Sequence, residues 1–252
     1  SVGREGTAVQ IGGSLTSNVA DYLGFKNNDR STIVLSGISS AFGSVFGTPF
    51  AGAFFGMEVC CVGRLSAGAV IPCFACSYLA NFVTQLLGFK HERYASSSIP
   101  DFDARFLFVF LIAAVCLGLI GKLFALGIKY VKLAYSKIFK NYLLAAAVGA
   151  AIVSLLIFAL GLNNFEGLST WMQGTAFKGD AKWYDMPAKY LLTVLTLGAG
   201  FQGGEVTPMF DMGASFGSWF GCVCGFDPTF FAAIGFVCVF AAAINTPITA
   251  IV

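Results

Sequence analysis

The sequence predicts an all-α, polytopic membrane protein built from two inverted halves whose helices are broken in matching places. Three observations carry that prediction. Apolar residues make up 57% of the 252 positions and charged ones only 11%, with mean hydropathy +0.78, more apolar surface than a soluble core can hide. Thirty glycines fit closely packed and interrupted helices, because glycine lets backbones approach. Finally, the chain repeats its own punctuation. A glycine-framed carboxylate opens an apolar helix at Gly3-Arg4-Glu5-Gly6-Thr7 and again at Gly203-Gly204-Glu205-Val206-Thr207-Pro208. A later apolar run ends Phe46-Gly47-Thr48-Pro49 and again Ile244-Asn245-Thr246-Pro247. Aligning Thr7 with Pro208 sets Gly12 against Gly213 and Ser14 against Ser215. Duplicated halves with interrupted segments point to a transport site at the repeat interface.

The elements follow in order. Residues 8–22 read as a helix stopped by the polar loop 26–30, with Asp29 or Ser31 capping the next. Residues 32–46 carry Ser36, Gly37, Ser39, Ser40, Gly43 and Ser44 on an apolar helix, which suits burial among other helices. Thr48-Pro49 breaks it, and a further helix runs through Glu58 to about Cys61, with Arg64 at the membrane surface. Residues 65–87 are long enough to span, since about 20 apolar residues suffice. The charged, serine-rich loop 90–105 lies outside the bilayer, and residues 106–130 span again.

Lys129, Lys132, Lys137 and Lys140 then follow, and no acidic residue occurs between Lys122 and Asn164. The positive-inside rule places that end in the cytoplasm. Residues 143–160 return, so the segment 163–185, with Trp171 and Trp183 near its edges, is extracytoplasmic and interfacial. Residues 189–201 deliver the chain to Glu205, after which 209–223 and 230–243 repeat the first half. Residues 1–90 form the end of one half and 91–252 the other, cut short at its C-terminus, together one transmembrane domain. With no initiator methionine and a final apolar run, the sequence reads as a piece of a longer protein.

Glu5 and Glu205 are the candidate functional carboxylates. An ionisable residue at membrane depth costs about 2.5–3.5 kcal/mol, so it is expected to line a cavity or pathway. Pro208 suits the first turn of a helix. Backbone N–H groups and the positive dipole end at such a start make an anion site. The candidate anion-binding set is Gly3, Arg4, Gly6 and Thr7 with Gly204, Val206 and Thr207, and alternation about Val206 in a strand-like entry would turn Glu205 and Thr207 to one cavity. Structural readings stand beside these. Glu5 can pair with Arg4, Thr207 can cap its helix, Glu58 can cap a backbone or pair with Arg64, and Asp211 can share a proton network with Glu205. Phe42 and Phe46 are candidate pore-lining rings among residues that otherwise pack.

Other classes are disfavoured. No basic patch is interleaved with aromatics, which argues against nucleic acid as a partner. The eight cysteines fall in apolar runs and read as packing residues. Cys73-Phe74-Ala75-Cys76 has redox spacing but no strand–helix setting, and His91, the single histidine, sits in a polar loop. No cofactor, metal or enzyme activity is expected, because no nucleophile–base pair or ligand cluster appears.

The two glycine-framed motifs and the duplicated Thr-Pro elements resemble the CLC family of chloride channels and proton-coupled anion exchangers, over essentially the whole chain. The resemblance implies an inverted-repeat homodimer with one pore per subunit, in which Glu5 is the external gate that competes with the anion and carries the proton. Three departures are similar to the fluoride-exporting branch: Thr7 replaces the usual proline, Glu205 and Thr207 replace hydrophobic or small residues, and Val59 stands where many exchangers carry an internal glutamate. This implies fluoride export in exchange for protons across a bacterial plasma membrane. A chloride/proton exchanger or passive chloride channel of the same fold is the alternative. A first Ser-type pore motif and a C-terminal tyrosine are expected beyond the two ends. The chemistry agrees, because small fluoride needs several strong donors to replace its water.

Overall fold

The computed structural model describes residues 2–60, 65–91, 94 and 99–252. The chain divides into two compact units, one of residues 5–93 with 244–252 and the other of residues 1–4 with 94–243. Apart from the bridge between Gly3 and Gly204, the described secondary structure is helical.

In the first unit, α1 (Glu5–Tyr22) packs on α2 (Asn27–Phe46), which is followed by α3 (Pro49–Glu58), a short 3₁₀ turn (Ala67–Ala69) and α4 (Val70–Leu86). The helix expected from residue 8 begins at Glu5 instead. The polar stretch expected as a loop is already the first turn of α2, entered from Lys26 rather than capped by Asp29 or Ser31. Arg30 explains this, because its guanidinium reaches back to Asp21 at 2.6 Å and to Ser17 at 2.7 Å, tying that turn to α1. α2 ends at left-handed Gly47, and α3 stops at Glu58, short of the expected Cys61. Arg64 lies outside the described residues, as does its proposed pairing with Glu58.

The second unit contains α5 (Ala104–Ile138), α6 (Tyr142–Leu160), α7 (Trp171–Ala176), α8 (Asp185–Gly198), α9 (Val206–Cys224) and α10 (Pro228–Ile244). Asp103 caps α5 by accepting from the Phe106 N–H at 2.7 Å, and Asn141 caps α6 by accepting from the Leu143 N–H at 2.9 Å. α5 runs to Ile138 rather than the expected 130, since its lysines favour helix and nothing breaks it before Phe139. Its 35 residues extend about 52 Å at 1.5 Å per residue, beyond the roughly 30 Å of a hydrocarbon core. Ala67–Leu86, Ala104–Ile138 and Tyr142–Leu160 are long and apolar enough to cross a membrane. α9, in contrast, is buried at every position from Val206 to Ser215.

The repeated punctuation has a common geometry. In the first unit a Cβ on Gly12 would lie 2.7 Å from the Gly37 carbonyl oxygen, and in the second a Cβ on Gly213 would strike the Gly235 carbonyl. Only glycine permits these two crossings, of α1 on α2 and α9 on α10. Eleven residues after Gly37 and after Gly235 come Thr48 and Thr246, with backbone angles of −120°, 73° and −117°, 68°. Asn245, with φ 66°, takes the left-handed place of Gly47, with φ 68°. Each turn delivers a proline to the start of a helix, α3 or α11 (Pro247–Ile251).

Candidate functional site

The second motif is a helix start buried within its unit. Glu205 flanks α9 with φ −93° and ψ −19°, so the helical conformation already holds there. Val206, Thr207 and Pro208 are its first three residues. The strand-like entry expected for this stretch is therefore overturned. Residues two apart on a helix do not share a face, and the structure shows the difference directly, with Thr207 buried and Glu205 exposed. Thr207 lies inside the first turn rather than at the flanking cap position. Pro208 has no N–H, and the Met209 N–H donates to the Glu205 carbonyl at 3.2 Å. As at any helix start, the helix itself supplies no acceptor for the amide of its first residue, Val206, and the positive end of the α9 dipole lies there beside the buried Thr207 side chain.

The stretch leading to the first motif is tied to this one. The Gly3 N–H donates to the Gly204 carbonyl and the Gly204 N–H to the Gly3 carbonyl, both at 2.7 Å. Both glycines are buried. Val2 occupies the space that a side chain on Gly203 would need, so the double glycine of the second motif is what admits the N-terminal strand of chain. Glu5 then opens α1, half-buried in its first turn with Gly6, while Arg4 and Thr7 are exposed. A carboxylate in the first turn suits the positive end of a helix.

Two polar clusters, one in each unit, were not assembled by sequence reasoning. Asp211 was expected to join Glu205, but it lies six residues on, away from that face. Its carboxylate accepts from Gln173 Nε2 at 2.8 Å and lies 3.4 Å from Lys189 Nζ. Lys189, expected only as the beginning of a returning helix, is fully buried and also donates to the carbonyls of Gly167 and Leu168. The available signal was two lone opposite charges in neighbouring apolar runs, each too costly at membrane depth without the other. Glu58 took the backbone-capping role. Fully buried at the end of α3, it accepts from the N–H groups of Ile248 and Thr249 and from the Thr249 hydroxyl.

The remaining candidates resolve simply. Phe42 is buried and stacks on Phe55 with centroids 4.2 Å apart, which is packing. Cys73 and Cys76 lie within α4, and the His91 Nε2–H donates to the Ser44 carbonyl at 2.7 Å near the end of α2. Among the described residues no cluster of three or more His, Cys, Asp or Glu is placed to hold a metal ion.

Broken helices, a buried charge pair and a buried helix start amid apolar spans mark a polytopic membrane protein. The comparisons name the family: residues 1–252 match the voltage gated chloride channel model, and the chain belongs to that CLC family. A chloride/fluoride channel protein of Pseudomonas syringae pv. tomato is 35% identical over 259 residues, covering 100% of this chain and 57% of that protein. The H(+)/Cl(-) exchange transporter ClcA of Vibrio cholerae is 26% identical over 268 residues, covering 99% of this chain and 57% of its own length. Among solved structures, a CLC-type fluoride/proton antiporter superposes with TM-score 0.95 at 30% identity, covering 100% of this chain and 64% of that one. A slow cyanobacterial Cl-/H+ antiporter, at TM-score 0.78 and 20% identity over 99% of this chain and 61% of its own, shares the fold. The chain spans about 57% of the length of these curated relatives.

Proposed function

We propose that this chain is the core of a fluoride/proton antiporter that exports fluoride across a bacterial plasma membrane, working as a homodimer of two inverted-repeat subunits. Glu5 acts as gate and proton carrier, and Glu205 relays protons near the second motif. The Gly3, Arg4, Gly6 and Thr7 segment and Gly204, Val206 and Thr207 contact the anion. The observation that carries the reading is the buried α9 start, where the Thr207 side chain lies in the first turn at the positive end of the helix, next to the Val206 amide. Likeness to a CLC-type fluoride/proton antiporter at TM-score 0.95 and to a chloride/fluoride channel protein supports the choice of anion.

Fluoride is small and strongly hydrated, so it gains most from several converging donors, whereas chloride depends less on any one of them. With Val59 where an internal carboxylate would stand, the inner proton leg runs through the Glu205 region. Chloride/proton exchange is the second reading, favoured by the shared fold with a Cl-/H+ antiporter. Paired electrode measurements of fluoride and chloride efflux from liposomes, with the full-length protein, separate the two. Fluoride efflux faster than chloride efflux supports the proposal, and equal or faster chloride efflux refutes it.

A further inference from the structure

We infer that Lys189 and Asp211 are a counter-charge pair that sets anion affinity at the first turn of α9, Lys189 acting as a positioning residue that neutralises the carboxylate beneath the anion site. The inference rests on the preceding reading for the location of that site. Asp211 follows Thr207 by four residues, so the two side chains share a face of α9 about 6 Å apart along its axis. Asp211 and Lys189 have no exposed surface. An unbalanced carboxylate one turn below an anion site would oppose the anion strongly, because both positions are buried and the protein interior screens charge weakly. The ammonium lies 3.4 Å from Asp211 Oδ2, and the Gly167 and Leu168 carbonyls accept from it at 3.1 and 3.3 Å. Those carbonyls hold Lys189 in place as a cation. Gln173 fixes the other carboxylate oxygen at 2.8 Å.

The network therefore joins the segment before α7, α7 itself and α8 to α9 one turn inside its start. A staple with no electrical role would use the same bonds. What separates the two roles is sign. Removing only the cation leaves a negative charge below the anion, and removing only the carboxylate's charge leaves a positive one.

The test is the half-saturating concentration for fluoride and for chloride in flux from liposomes, measured on the full-length wild type, Lys189→Met, Asp211→Asn and the double variant. Lys189→Met should raise half-saturation about tenfold or more and Asp211→Asn should lower it by a similar factor, as expected for a unit charge about 6 Å away in a medium of intermediate dielectric. The double variant should return toward the wild-type value. Shifts in the same direction, or unmoved half-saturation with lost folded protein, would overturn the inference and leave a staple. Either single variant decides the sign if the other does not fold. Flux of chloride alone in the wild type would remove the fluoride reading while the chloride half-saturations still test this pair. Fluoride flux with unmoved half-saturations would remove this inference only, and absence of any anion flux would remove both.

Discussion

Glu58→Ala is the substitution whose cost can be worked most directly from the geometry. The carboxylate is fully buried and accepts from the Ile248 N–H at 3.0 Å, the Thr249 N–H at 2.8 Å and the Thr249 hydroxyl at 2.7 Å. A hydrogen bond to a charged group contributes about 1.5–3 kcal/mol, and donors stranded without an acceptor add their own desolvation cost. Because three donors share one group, their contributions are not additive, and the expected loss is about 3–5 kcal/mol. Glu58→Gln keeps one acceptor oxygen but turns an NH₂ toward a donor, so about 2–3 kcal/mol is expected. Thr249→Val removes only the hydroxyl, for about 1–2 kcal/mol. At about 2–4 °C per kcal/mol for a chain of this size, heating followed by size-exclusion chromatography should rank the midpoints Thr249→Val, Glu58→Gln, Glu58→Ala in falling order. A Glu58→Ala midpoint within about 2 °C of wild type would refute the assignment of Glu58 as the cap of α11.

Three further outcomes follow. Glu5→Gln should abolish fluoride uptake driven by a proton gradient, leaving a blocked protein or an uncoupled leak, and unchanged proton-driven uptake measured by electrode would count against Glu5 as carrier. Gly213→Val should prevent accumulation of folded protein, since its side chain would meet the Gly235 carbonyl, whereas Gly118→Ala should be silent because nothing lies within 4 Å of the added carbon. Expression and monodispersity of the two variants make the comparison, and equal yields would contradict the crossing. Single cysteines at Lys137 and Asp101, in a background with exposed native cysteines replaced, should label from opposite faces of sealed cells, and labelling from one face would overturn the proposed orientation.

What the sequence revealed and what it hid have physical reasons. The breaks before Pro49 and Pro247 were legible because proline and a left-handed residue punctuate a helix locally, and Gly47 and Asn245 supply that conformation. The crossings at Gly12 and Gly213 were anticipated as aligned positions but not as contacts, since alignment says nothing about the carbonyl opposite. Helix starts were read late at Glu5, Asn27 and Val206. In each case polar or glycine-rich residues, which suit a loop in isolation, were drawn into the first turn by long-range partners such as the Arg30–Asp21 pair and the Gly3–Gly204 bridge. Lys189 and Asp211 went unpaired in the sequence because 22 positions separate them, and only the packing of α8 on α9 brings them together. The helical path through Val206 also replaces the idea that Glu205 and Thr207 face one cavity. They lie on different sides of the same turn, Thr207 buried and Glu205 exposed.

The most direct test of the central claim is the fluoride-to-chloride efflux ratio of Thr207→Ala against wild type, measured with paired electrodes on liposomes containing the full-length protein. Under the proposed function, removing the buried hydroxyl would delete one charge-assisted hydrogen bond to fluoride, about 1.5–3 kcal/mol or one to two decades of affinity, while chloride would lean less on that donor. The account predicts that the ratio falls about tenfold or more. A ratio and rate within error of wild type would show that the α9 start is a structural turn with no part in choosing fluoride.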